Sequence, residues 1–220
     1  MGGVSLGSFK MTALKGQPYS LVSKTTTVKT VADGTPVTAV REERRMRDAE
    51  GRERTETIRP NGAVISSHVT DPVAQMTITL FPGSKTAYVT RIALPPPPTP
   101  EQEAKAAELR ARVEEYRKAH PPLQDTDSEL QPQTIAGVYA TGRRHVLVIP
   151  AGRMGNDHEI RIVEDKWMSP DLKIIMASTA DDPRPAKGKI TTVVTELNRV
   201  DPDAALFQIP ADYKVVEQKN

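Results

Sequence analysis

Two clusters of polar residues could in principle support chemistry, and the first centres on His68. His68 follows Ser67, and Asp71 comes three residues later, so the residue types of a serine–histidine–acid triad occur together. Ser67 and His68 are neighbours on a predicted strand, however, so their side chains point to opposite faces. The chain also lacks the G-x-S-x-G sequence that presents a nucleophilic serine on a sharp turn. We therefore assign no catalytic residue.

The second cluster is Asp157, His158 and Glu159, whose side chains could ligate a metal ion. Adjacent strand residues diverge, and no second histidine follows at a spacing that would help. A polar loop end is the better interpretation. The chain has no cysteine, which excludes disulfides, thiolate metal sites and thiol nucleophiles. It also has no P-loop, dinucleotide-binding glycine motif or EF-hand loop, so we predict neither a metal nor another cofactor.

Apolar residues in the C-terminal half are the main indication of a binding function. Ile174 and Met176 alternate with Ile175, which is also apolar, whereas a sheet with one wet face shows cleaner alternation. Both faces are therefore expected to be covered, one by a core and the other by a helix, a partner or a cavity. The single tryptophan is either a core anchor or part of a pocket. The predicted ligand contacts are Trp167, Ile174, Met176 and Val194.

Length and charge limit the class of protein. A chain of 220 residues without a long polar tract is expected to form one domain. A net charge of +2 disfavours nucleic-acid binding, which depends on concentrated positive charge. No apolar run approaches the roughly 20 residues needed to span a bilayer. The sequence from Met1 shows no signal peptide, and composition alone leaves the compartment open.

Short β-branched segments separated by turn residues indicate an antiparallel sheet. Residues 124–133 are predicted to be a polar loop, and residues 201–207 a short helical turn. The predicted strands cover, in chain order, 19–31, the hairpin 37–58 with its turn at 48–51, 64–69, 74–81, 85–92, the pair within 134–149, 158–167, 172–178, 189–197 and 213–216.

The hairpin 37–58 and its flank carry seven arginines among six acidic residues. One interpretation is a solvated ribbon whose charges pair across the strands, and the other is an arginine patch for an anionic partner. The interleaved acids favour the solvated ribbon.

One helix is predicted from Pro100 to Lys118. Thr99 is its N-cap and Gln102 completes a capping box, with a narrow apolar stripe that we expect to pack on a sheet face. We predict a flexible arm over residues 1–18 and a single domain over 19–220, with a helical insertion at about 99–119. The fold class is α+β, a large curved antiparallel sheet with a helix packed on one face.

Several turn and strand-end segments carry a resemblance to known proteins: 31–35 (VADGT), 47–52 (RDAEGR), 71–73 (DPV), 85–87 (KTA), 149–152 (IPAG), 155–157 (GND), 167–172 (WMSPDL) and 201–213 (DPDAALFQIPADY). With these segments the chain resembles a family of uncharacterised exported proteins of Acidobacteria-type soil bacteria, whose genes begin with a signal peptide. More distantly, the sheet and the ending at 207–210 are similar to the lipoprotein-carrier superfamily.

The resemblance implies a half-barrel whose concave face holds acyl chains or a partner, and a periplasmic or secreted location after removal of the signal peptide. It transfers no ligand-contact residue. Our leading hypothesis is an exported, non-enzymatic binding protein for a hydrophobic ligand, a lipid or a lipid-modified partner. The alternative is an envelope protein–protein interaction or stress-sensing module, and a hydrolase ranks third. No nucleic-acid partner and no membrane span are expected.

Overall fold

The computed structural model describes residues 11–31, 33–92, 98–119, 123–184 and 187–218. Within those ranges the chain forms strands and one α-helix, with a 3-10 turn at Ala204–Phe207. The elements are β1 (Tyr19–Thr30), β2 (Pro36–Arg47), β3 (Glu53–Ile58), β4 (Val64–Asp71), β5 (Met76–Phe81), β6 (Thr86–Arg91), α1 (Pro100–Ala119), β7 (Gln124–Ile135), β8 (Val138–Ile149), β9 (Ile160–Ser169), β10 (Ile174–Asp182), β11 (Gly188–Asn198) and β12 (Lys214–Gln218).

All the strands belong to one sheet, in the order β12-β6-β5-β4-β3-β2-β1-β11-β10-β9-β8-β7. Neighbours are antiparallel except β12, which pairs with β6 in parallel. The α+β class with one large sheet is confirmed, and the parallel edge pair makes that sheet mixed. Sequential hairpins build each half, because turn residues between short β-branched segments favour local antiparallel pairing.

The sheet carries two hydrophobic clusters on opposite faces. Tyr19 on β1 belongs to the first, and the guanidinium of Arg47 lies 4.7 Å above its ring. Met46, the neighbour of Arg47 on β2, belongs to the second cluster. Adjacent strand residues leave opposite faces, so the clusters lie on opposite sides. The first cluster draws on β1, β7, β8, β10 and β11 and on the β9–β10 turn, and the second lies mainly on β4 to β6.

The C-terminal segment covers the second cluster. Phe207, in the 3-10 turn, is 2% exposed, and Asp203 caps the turn by accepting a bond from the Ala205 backbone N–H. Arg54 Nη1 donates to the Leu206 carbonyl over 2.6 Å. The helical turn predicted for this stretch is therefore a lid over the core, held by a strand arginine.

Residues 11–18, the second part of the predicted arm, lie against the sheet. The Met11 N–H donates to Gln75 Oε1, the Gly16 N–H donates to the Ala49 carbonyl, and Lys15 pairs with Glu50. These contacts join the stretch to the sheet, and the flexibility of the arm stays a prediction. Residues 1–10, the rest of that prediction, lie outside the described residues.

Helix α1 begins as predicted but does not pack as predicted. The Thr99 N–H donates to Gln102 Oε1 and the Gln102 N–H to Thr99 Oγ1, which is the reciprocal capping box. Its apolar stripe remains exposed: Leu109 is 57%, Val113 41% and Tyr116 64% exposed. Charged residues on the other sides leave too narrow a stripe for burial, so the predicted packing of α1 on a sheet face is wrong.

We expect the change Leu109→Gln to alter the free energy of unfolding by less than about 0.5 kcal/mol, as for exposed sites in general. The change Ile78→Ala, at a core residue that is 1% exposed, should cost about 2–5 kcal/mol. Urea unfolding measures both. A cost for Leu109→Gln close to that of Ile78→Ala would show that α1 packs on the protein in solution.

Strand β7 replaces the polar loop predicted for residues 124–133. It pairs antiparallel with β8 along most of its length, with a register shift between Leu130 and Gln133. The strand lies at the edge of the sheet, and only Ile135 is buried. An edge strand needs few apolar side chains, so the hydrophobic pattern did not reveal it.

Candidate functional site

The four residues predicted to contact a ligand come together in the structure. Ile174, Met176 and Val194 are members of the first hydrophobic cluster, and Trp167 packs against it. Met176 is 0% exposed, and the other two cluster members are also buried. Their contact with a ligand stays a prediction, since the structure places them in a filled core.

The opposite face of the same strands carries a broad groove. Ile175 lies between two core residues on β10, so its side chain leaves the other face, where it is 43% exposed. Met168 on β9 and Tyr139 on β8 are also exposed and line the groove with it. The groove has a volume of about 1090 Å³ and crosses β7 to β10.

One end of the groove is apolar. Its lining there comprises Leu130, Pro132, Tyr139, Met168 and Ile175. Met168 lies opposite Ile175 across the β9–β10 pair, where a register shift places one extra residue on β10. The β7–β8 pair is also irregular at this end. Such bulges bend a strand and increase its twist, which helps to form a concavity.

The other end of the groove carries charges of both signs, from Asp127, Glu129 and Glu164 and from Arg143 and Lys166. Arg143 Nη2 lies 2.9 Å from Asp127 Oδ2, and His145 Nδ1 lies 3.3 Å from Asp127 Oδ1. The hydrogen bond from Arg143 is the main reason why the pKa of Asp127 is lowered. Lys166 and Glu164 pair at 2.7 Å. Both signs of charge are therefore available to the polar part of a ligand.

A glycine and the single tryptophan form the layer beneath the groove. Gly142 on β8 lies opposite Leu130 on one side and Trp167 on the other. A Cβ at Gly142 would lie 2.6 Å from Trp167 Nε1 and 2.8 Å from Leu130 Cβ. Because Gly142 has no side chain, the indole can cross β8 and donate to the Gln131 carbonyl over 3.0 Å. Trp167 thus joins the core to the edge strand.

The triad candidates have separate partners. The Ser67 hydroxyl is buried and accepts a bond from Arg54, whereas His68 contacts the Thr79 hydroxyl on the exposed face. Asp71 accepts bonds from the backbone N–H groups of Val73 and Ala74 in the next turn. The divergence of Ser67 and His68 follows from strand geometry, and these groups do not form a triad.

His158 lies at a polar loop end. Its carbonyl accepts a bond from the Asn156 amide, which also bonds the Pro150 carbonyl. Glu159 is turned to Arg161 at 3.7 Å. Across the residues that the structure describes, no group of three or more histidine, aspartate or glutamate side chains could hold a metal ion.

The arginine-rich ribbon is only partly solvated. Arg47 is 2% exposed: its Nε donates to the Gln17 carbonyl, its Nη2 donates to the Leu172 carbonyl, and its Nη1 lies 3.5 Å from Glu53. Arg54 and Glu56 form a second, largely buried pair. These residues hold the fold together, so neither the solvated ribbon nor the arginine patch describes them.

The groove residues that the sequence analysis missed are Tyr139, Met168 and the charged group around Arg143. The apolar character of Ile175 was the available signal, since it indicated a second apolar face. The charged end was hidden because β7, which supplies Asp127, was predicted to be a loop. In the described part of the chain, no helix is long and apolar enough to cross a membrane.

Comparison with known proteins finds distantly similar solved structures. No family model and no curated protein matches the chain. Similar solved structures include the Pseudomonas aeruginosa MucA/MucB complex, with a TM-score of 0.48 and 14% identity, covering 92% of this chain and 59% of that one. An uncharacterised conserved protein from Thermus thermophilus has a TM-score of 0.43 and 10% identity, with coverages of 92% and 91%.

A LolA-superfamily protein from Nitrosomonas europaea is also similar, with a TM-score of 0.37 and 6% identity, covering 89% of this chain and 92% of that one. All three TM-scores are below 0.5, so these structures are only distantly similar to this chain. This chain spans less than two thirds of the length of the matched chain in the MucA/MucB complex.

Proposed function

We propose that this chain is a non-enzymatic binding protein that holds an amphiphile in the groove across β7 to β10. The apolar part of the ligand lies against Tyr139, Met168 and Ile175, and its polar part lies beside Arg143 and Lys166. The observation that carries the proposal is a groove with an apolar end and a charged end, backed by a filled core.

The chemistry of the lining supports an amphiphile over a purely apolar or strongly anionic ligand. Covering exposed apolar side chains is worth roughly 25 cal/mol per Å² of area removed from water. At the other end, the carboxylates of Asp127, Glu129 and Glu164 offset the positive charges of Arg143 and Lys166. A polar group of mixed or neutral charge therefore suits this end best, because it can exchange bonds with both partners of each pair.

Lipid extraction and native mass spectrometry of protein purified from cells test the proposal. We expect a bound amphiphile and a fluorescent acyl probe that it displaces. Because Trp167 lies beneath the groove, its emission should change when the probe binds. Protein that carries no amphiphile and binds no probe would remove the support for this function.

The change Ile175→Asp should weaken probe binding at least about tenfold, since a buried contact worth about 1.5–3 kcal/mol becomes an unfavourable charge. Ile65 on β4 provides a matched control, because it is also 43% exposed but does not line the groove. Probe titration of both variants measures the difference. Equal loss of affinity in Ile65→Asp would place the binding site elsewhere.

We further propose that the protein acts outside the cytoplasm, in the periplasm or after secretion. The resemblance of its turn segments to an exported family supports this location. Fractionation of cells that express the complete gene tests it, and recovery in the cytoplasmic fraction alone would contradict it.

A further inference from the structure

The two edges of the sheet differ in their outermost strands. At one edge the chain adds its own strand, β12, to β6 through parallel pairing of five residues. Side chains reinforce that addition: Lys85 pairs with Asp212 at 2.8 Å, Arg91 pairs with Glu217 at 3.4 Å, and Thr90 donates to Gln218. An added strand on this protein is thus held by backbone bonds together with flanking opposite charges.

The other edge, β7, has no strand on its outer side among the residues that the structure describes. The side chains of residues 124–129 are all exposed, and their pairing with β8 is regular. An edge strand presents unpaired N–H and C=O groups that can pair with another chain. Of the features that limit such pairing, the proline and the bulge lie in the far half, at Pro132 and the register shift, and the near half has only its charged side chains.

Charge on this edge selects among the strands that could join it. Asp125, Asp127 and Glu129 alternate along β7, so their side chains share one face. Arg143 and His145 pair with Asp127, whereas Asp125 and Glu129 have no hydrogen-bond or ion-pair partner within the described residues. A second copy of β7 would bring acidic residues together, which is unfavourable. A strand with basic side chains would be attracted.

We infer that residues 124–130 of β7 accept an added strand from a partner protein, with basic side chains opposite Asp125 and Glu129. These two positions are four residues apart, so the guest carries its lysines or arginines four residues apart on one face. Backbone pairing supplies affinity, and the alternate side chains supply specificity. The surface borders the groove but needs no ligand in it, so it does not rest on the proposed amphiphile.

A labelled, end-blocked peptide of alternating threonine and valine tests the inference, with two lysines placed four residues apart. Fluorescence anisotropy with the whole protein should show saturable binding. A peptide with two glutamates instead should bind at least about tenfold more weakly, because two favourable cross-strand pairs become repulsive. The double variant D125K/E129K should reverse this preference.

Two controls separate strand pairing from simple charge attraction. The lysine peptide methylated at alternate backbone nitrogens keeps its charge but cannot complete the ladder, so its binding should be lost. The double variant E103K/E108K makes the same charge change on the exposed helix α1 and should leave binding intact. Equal binding of the methylated peptide, or no binding of the lysine peptide, overturns the inference, whatever the result of the amphiphile experiments.

Discussion

The change Arg47→Ala is expected to reduce the free energy of unfolding by about 3–5 kcal/mol, because it removes two hydrogen bonds from a charged donor, each worth about 1.5–3 kcal/mol. Arg47 connects three parts of the chain: the segment before β1 through the Gln17 carbonyl, β2 itself, and the turn after β9 through the Leu172 carbonyl. Its removal leaves both carbonyls unsatisfied and the Tyr19 ring without its cation. Urea unfolding measures the loss.

Two further variants define the origin of this loss. Arg47→Lys keeps the charge, but an ammonium cannot reproduce the planar fork that serves two carbonyls, so an intermediate loss is expected. Arg41→Ala removes an exposed arginine from the same strand and should change stability by less than about 0.5 kcal/mol. A loss below about 1 kcal/mol for Arg47→Ala would show that the bonds to Gln17 and Leu172 contribute little.

The second large effect is expected at Gly142. The change Gly142→Ala adds a Cβ where the Trp167 indole now crosses β8, at 2.6 Å from Nε1. Displacing the indole should cost about 2–3 kcal/mol, from overpacking and from loss of the bond to the Gln131 carbonyl. Because Trp167 is the only tryptophan, its emission spectrum should shift in the folded protein.

Gly83→Ala is the matched control for this change. A Cβ at Gly83 would meet nothing within 4 Å, and the residue has no positive φ, so its substitution should be nearly neutral. If Gly142→Ala is equally neutral and leaves the emission unchanged, the indole does not depend on the missing side chain at residue 142.

Most strands could be predicted from the sequence because their signals are local. The β-branched run of β1 and the turn at Asp48 to Gly51 both appear in the structure close to their predicted bounds. The capping box at Thr99 was equally local. These features depend on residues a few positions apart, which a single sequence displays directly.

The errors concern features that depend on distant parts of the chain. Arg47 looks like one of several surface arginines, because its burial depends on Leu172 across the sheet. The apolar stripe of α1 suggested that the helix packs on the sheet. The sequence of the helix does not indicate whether a face of the sheet is available to it. For the groove, alternation showed two apolar faces but not which one the core would fill. The core lies on the face where Leu172, in the β9–β10 turn, packs, and no local pattern shows where that turn packs.

The strand order has a consequence for the sequence of events in folding. Within β1 to β6, and within β7 to β11, each strand pairs with the next one in sequence, so each set can form from hairpins. Two pairings unite distant parts of the chain, β1 with β11 and β6 with β12. Such long-range closures are slow, because loop entropy is lost before contacts form. During synthesis, β1 therefore emerges early, and the edge that pairs with β11 stays unpaired until β11 has been synthesised.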